Sequence, residues 1–160
     1  MKSLFKIFIV ALFVLSVNSC KNNTPATQPT PPAPAVLSQP DSKRIIEREI
    51  SSWEFAKTRN FPALREILAD DYIGFFGRNI MRPNDVIRLF QNSIVRSYHL
   101  SNIRVQPVTN NTAIVYYELN QDIIDASGDV WTPMVASAST YVKRNGVWYS
   151  IFYQETVINN

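Results

Sequence analysis

Thr140–Thr156 reads TYVKRNGVWYSIFYQET. Two runs rich in β-branched and aromatic residues flank Asn145-Gly146, the pair that most strongly favours a two-residue hairpin turn. The stretch therefore reads as a hairpin joining a strand at Val130–Lys143 to one at Val147–Ile158. Working upstream, Thr112–Ile124 alternates apolar and polar residues and ends at the turn-rich Asp125-Ala126-Ser127-Gly128-Asp129. Ser97–Gln106 precedes it, closed by Pro107 and Asn110-Asn111. Extended segments separated by short polar turns predict an antiparallel meander.

Before His99 the period is helical. Asp41 or Ser42 can cap a first helix whose apolar positions Ile46, Ile50 and Trp53 recur at helical spacing, with Ile45 and Phe55 widening the stripe. A second, short helix follows Asn60, with Pro62 in its first turn and Leu64, Ile67 and Leu68 on one side. Asp70-Asp71 leads into a brief apolar run, Tyr72–Phe76, that stops at Gly77. A third helix starts near Pro83–Asp85 and carries Val86, Ile87, Leu89 and Phe90. Three helices followed by a meander predict an α+β domain over residues 41–160, long enough for one core.

Further out the composition changes. Lys21–Pro40 holds six of the ten prolines and almost no large apolar residues, so it reads as an extended tether. Residues 1–19 begin with Lys2 and Lys6, run unbroken and apolar from Ile7 to Leu15, and end with small or polar residues before Cys20. That is the layout of an export signal. An uncleaved membrane helix is the competing reading, and the apolar run is short of the ~20 residues a span needs. Cys20 is the sole cysteine, so no internal disulfide is available to it. Val17-Asn18-Ser19-Cys20 resembles the lipobox of bacterial lipoproteins, which implies acylation of Cys20, cleavage before it, and attachment to a membrane by more than one chain. The expected location is the cell envelope, at the outer membrane facing the periplasm. The formal charge of +3 includes signal lysines; residues 41–160 carry 13 Lys and Arg against 13 Asp and Glu, which gives no electrostatic case for nucleic acid.

The order of elements, with WEFAKTRNFPALREILADDYIGFFG at Trp53–Gly77 and the hairpin quoted above, resembles the nuclear transport factor 2-like superfamily and its SnoaL-like and ketosteroid-isomerase-like domains. The resemblance implies a cystatin-like cone: three N-terminal helices packed on a curved antiparallel sheet, a pocket at the open end, and in many members a homodimer through the outer sheet face. It also implies that the position of Trp148 faces the interior, which by alternation sends Phe152 and Gln154 inward and Tyr149, Ile151 and Tyr153 outward, with Tyr116, to a dimer surface.

The expected ligand pocket is Trp53, Tyr72, Phe76, Tyr117, Trp148, Phe152 and Gln154, a set that also suits plain core packing. In related enzymes a pocket carboxylate or histidine works with an aromatic hydroxyl, and His and Arg often stand where this chain has Gln154 and Ala136. The catalytic candidate is His99, the lone histidine. Nucleophile elbows, phosphate-cradling glycine loops and metal-ligand spacings are missing from the sequence, so neither cofactor nor metal is expected. The leading expectation is a lipid-anchored domain that binds a small apolar ligand or a protein partner without catalysis. The alternative is a pocket enzyme that transfers a proton on a hydrophobic substrate.

Overall fold

The computed structural model describes residues 34–158. The export segment, Cys20 and most of the tether lie outside the described residues. The elements are α1 (Gln39–Lys57), α2 (Phe61–Ile67), β1 (Leu68–Phe76), β2 (Asn79–Met81), α3 (Pro83–Gln91), β3 (Ile94–Thr109), β4 (Thr112–Ile124), β5 (Val130–Trp131), β6 (Met134–Arg144) and β7 (Val147–Val157). The sheet runs β2-β1-β7-β6-β4-β3, with β5 attached to β4. All neighbours are antiparallel except β1 and β7, which pair in parallel. The sheet is therefore mixed rather than wholly antiparallel; a parallel neighbour needs a long connection, and here nearly the whole domain lies between the two strands.

Helix α1 starts earlier than its sequence suggests. Its N-cap is Ser38, whose hydroxyl accepts the Asp41 backbone N–H at 3.2 Å. Asp41 instead ties the helix start to the last hairpin, accepting from Trp148 Nε1 at 2.9 Å and from Lys143 Nζ at 2.9 and 3.1 Å. The Trp148 hydrogen bond, then those from Lys143 and Ser38, hold the Asp41 carboxyl at about 2.

The buried stripe of α1 is Ile45, Glu49, Trp53 and Ala56, whereas Ile50 is exposed and Ile46 half-buried. This rotates the expected stripe of Ile46, Ile50 and Trp53. A carboxylate sits in the middle of the true stripe and disguises it in the sequence.

In β4 alternation holds: Ala113, Val115, Tyr117, Leu119, Gln121 and Ile123 are buried while Tyr116 and Asn120 are exposed. The final hairpin turns as expected, with Asn145 and Gly146 both at positive φ (50° and 82°). Its first strand is divided, because Pro133 separates β5 from β6. β3 runs past Pro107, which is tolerated because β3 is the edge of the sheet.

The consequential departure is in β7. Tyr141 pairs with Ser150 but Thr140 with Phe152, so Ile151 is an extra residue. A bulge of one residue reverses the faces beyond it. Trp148, Ser150 and Tyr153 are buried, and Glu155 follows Tyr153 inward, while Phe152 and Gln154 turn to the outer face. There Phe152 packs against Phe75, ring centroids 5.9 Å apart.

Candidate functional site

Two carboxylates enter the space between helices and sheet, at different depths. The inner one is Glu49, 3% exposed. Its Oε1 accepts from Tyr117 Oη at 2.6 Å and Ser139 Oγ at 2.8 Å, and its Oε2 accepts from Tyr141 Oη at 2.7 Å. Trp53 Nε1 donates to the Tyr117 oxygen at 3.1 Å. These partners come from α1, β4 and β6, so the network bolts the first helix onto the sheet. Burial raises the Glu49 carboxyl above its ordinary value, outweighing the three hydroxyl donors, and the same burial together with Glu49's charge raises the phenols of Tyr117 and Tyr141. Beside Glu49 lies a cavity of about 40 Å³, also lined by Tyr72, Phe90 and Tyr153. It has room for water but not for an organic molecule.

The outer carboxylate is Glu155. Tyr153 Oη donates to its Oε2 at 2.8 Å and stands 3.2 Å from Ser137 Oγ, giving a short hydroxyl relay across β6 and β7. Burial raises the Glu155 carboxyl too. Tyr72, on the neighbouring strand, feels both carboxylates, which with burial push its phenol up.

Glu155 opens on a larger pocket of about 400 Å³, within the usual size of a small-molecule site. Its walls include Trp53, Phe76 and Phe90 from inside and Met81, Val130 and Trp131 at the rim. Gln121, on β4, is 1% exposed and lines this pocket; neither of its amide atoms has a hydrogen-bond partner. Its amide lies near enough to Glu155 to favour the charged carboxylate without a well-formed hydrogen bond. Leaving a buried amide unpaired costs about 1–3 kcal/mol. The wall of the pocket thus carries amide atoms able to hydrogen-bond a polar group.

Of the residues singled out from sequence, Trp53 and Phe76 line both cavities, and Tyr72 lines the inner one. Phe76 also stacks on Tyr153, ring centroids 5.0 Å apart. Tyr117 is buried in the Glu49 network. Trp148 is buried but engaged with Asp41, away from both linings. Phe152 and Gln154 face outward, a correction that follows from the bulge at Ile151. By the same shift Tyr153 belongs to the interior and not to a dimer surface, and Tyr149 packs beneath the Arg48 guanidinium at 5.7 Å. His99 is exposed on β3 opposite Asn120 and takes no part in either cavity. Sequence reasoning missed Glu49, Gln121 and Glu155. A signal existed for the first two: Glu49 lies four residues from both Ile45 and Trp53, and Gln121 continues the inward set of β4.

Neither a family model nor a curated protein matches this chain. Solved structures do. A nuclear transport factor 2-like protein from Cytophaga hutchinsonii superposes with a TM-score of 0.67 at 14% identity, over 76% of this chain and 99% of that one. A hexachlorocyclohexane dehydrochlorinase from Novosphingobium barchaimii does so with a TM-score of 0.63 at 16% identity, over 73% and 86%. The association domain of Caenorhabditis elegans CaMKII gives a TM-score of 0.58 at 13% identity, over 72% and 94%. The chain has the nuclear transport factor 2-like, cystatin-like fold. Proteins sharing that fold include both an enzyme and an association domain, so the fold alone does not choose between chemistry and assembly.

Proposed function

We propose that this domain binds a small, largely apolar molecule in the mouth pocket, held on a lipid anchor at Cys20 in the bacterial envelope. The observation that carries the reading is Gln121: a fully buried amide with both polar atoms unpaired, set into the wall of a 400 Å³ aromatic pocket. Aromatic walls supply the affinity and the few convergent polar groups fix orientation. The Pro-rich segment from Lys21 lets the domain stand off the membrane, and the outer face of the sheet, with Tyr116, Phe75 and Phe152, is the surface for a homodimer.

Native mass spectrometry of the mature chain purified from its own host tests this. A retained molecule that is lost in Gln121→Leu supports the reading, and a bare mass in both overturns it. Cys20→Ser tests the anchor separately: labelled palmitate fed to the growing host is incorporated into the wild-type protein and not into the variant, and no label in the wild-type protein contradicts the anchor.

A second reading, proton transfer on a hydrophobic substrate, is favoured by the Tyr153–Glu155 hydrogen bond at the pocket wall. A carboxyl raised by burial and paired with a phenol is suited to act as a general base or acid. Solvent deuterium exchange into a hydrophobic ketone, abolished in Glu155→Gln, is its signature. Glu49 does not serve this chemistry, because three hydroxyl donors already hold its carboxylate and its cavity is too small for a substrate.

A further inference from the structure

Among the described residues, the charged ones lining the mouth pocket are all of one sign: Glu155 on β7 and Asp125 and Asp129 in the loop between β4 and β5, with no lysine or arginine. The loop is organised by Asp125, which accepts the backbone N–H groups of Ser127 at 2.9 Å and Asp129 at 3.0 Å. The Ser127 hydroxyl donates to Asp125 at 2.8 Å and lies 3.3 Å from an Asp129 oxygen. Those hydrogen bonds keep Asp125 ionised by lowering its carboxyl below the ordinary value. Facing this rim are the rings of Trp53, Phe76, Phe90 and Trp131. Ring faces carry negative electrostatic potential and attract cations when water is excluded.

The second observation is independent of the carboxylates. Gln121 presents an unpaired carbonyl oxygen as well as an unpaired N–H₂ group, both buried and set in the pocket wall beside Glu155. An ammonium group has several N–H donors and no acceptor, so Glu155 and the Gln121 oxygen can take two of them at once. A carboxylate or phosphate ligand would meet three like charges, and a wholly apolar ligand would leave the Gln121 carbonyl oxygen unsatisfied.

We propose that the mouth pocket takes an organic cation, a flat or aliphatic body carrying a protonated amine, with Glu155 and Gln121 receiving the ammonium group and the aromatic walls enclosing the body. The proposal rests on the small-molecule reading above and names the ligand class for that same pocket.

The test uses the mature chain with Cys20→Ser and three probes that share one ring system: tryptamine (cationic), tryptophol (neutral) and indole-3-acetate (anionic), titrated calorimetrically. Nile red, a neutral apolar dye, reports separately whether the pocket accepts a small molecule at all. The expected result is at least about tenfold tighter binding of tryptamine than tryptophol, no measurable binding of indole-3-acetate, and loss of the tryptamine preference in Glu155→Gln. Asp129→Asn, on the exposed loop, reduces the preference about twofold to threefold without touching the interior. Equal or tighter binding of tryptophol or indole-3-acetate, with Nile red still bound and displaced by them, overturns the cation proposal and leaves the pocket reading intact. Failure of Nile red and all three probes to bind overturns both. Retention of the tryptamine preference in Glu155→Gln, with the variant folded by circular dichroism, also overturns the assignment.

Discussion

The inner and outer carboxylates of this cone are built from the same parts and do opposite things. Glu49 and Glu155 each lie against tyrosine hydroxyls, and burial raises both carboxyls. Glu49, however, has three hydroxyl donors and a cavity of about 40 Å³, whereas Glu155 has one tyrosine donor, an unsatisfied amide beside it and a pocket of about 400 Å³. Three donors make the first a structural bolt, whereas the second keeps acceptor capacity on the pocket, as the proposed ligand site requires. Carboxylate–tyrosine pairing alone therefore does not identify chemistry in such a fold.

The sharpest way to break this contrast is Glu49→Ala. It leaves three buried hydroxyls without an acceptor and opens a void, at an expected cost of about 3–5 kcal/mol in urea unfolding. Glu49→Gln keeps an acceptor and costs less. A loss under about 1 kcal/mol for Glu49→Ala would make the inner carboxylate dispensable and remove its structural role.

Tyr117→Phe is the next largest, about 1–3 kcal/mol, since it removes one donor to Glu49 and strands the Trp53 N–H. A glycine on β1 tests the packing around the inner cavity from another side. A Cβ at Gly74 would stand 2.8 Å from the Phe76 ring and still nearer the Tyr72 hydroxyl, so Gly74→Ala should destabilise by about 1–3 kcal/mol.

The pH dependence separates the start of α1 from its middle. Folding raises the Glu49 carboxyl above its ordinary 4.5, so the native state holds that proton more tightly than the unfolded chain. Its contribution is complete below pH 4.5 and declines as pH rises through the folded value. Asp41 has the reverse sign: lowered to about 2, it contributes above its ordinary 3.8 and loses that as pH falls toward 2. Unfolding midpoints measured across this range should decline less with rising pH in Glu49→Gln, and should be less sensitive to acid in Asp41→Asn. Parallel curves for the wild-type protein and Glu49→Gln would contradict the raised carboxyl.

The smallest expected effect on stability is at the mouth. Glu155→Gln retains an acceptor for Tyr153 and should change unfolding free energy by less than about 1 kcal/mol while abolishing selective ligand binding. A large loss of stability there would erase the distinction between the two carboxylates.

The sequence by itself determined the three helices, the long strands and the last hairpin, because these follow from local periodicity and from residues such as Asn145-Gly146 that admit only a few backbone geometries; the short β2 and the break between β5 and β6 were not legible in it. It also determined the inward face of β4, where alternation runs without interruption. Tertiary structure decided the rest. Ile151 carries no mark of being an extra residue; only pairing with β6 reveals it, and that pairing sends Glu155 rather than Gln154 to the pocket. Glu49 stands at helical spacing from Ile45 and Trp53, but what makes its burial tolerable is Tyr117, Ser139 and Tyr141, which arrive from 68, 90 and 92 positions away. A buried charge is recognisable only through the partners that make its burial tolerable, and those partners are assembled by the fold.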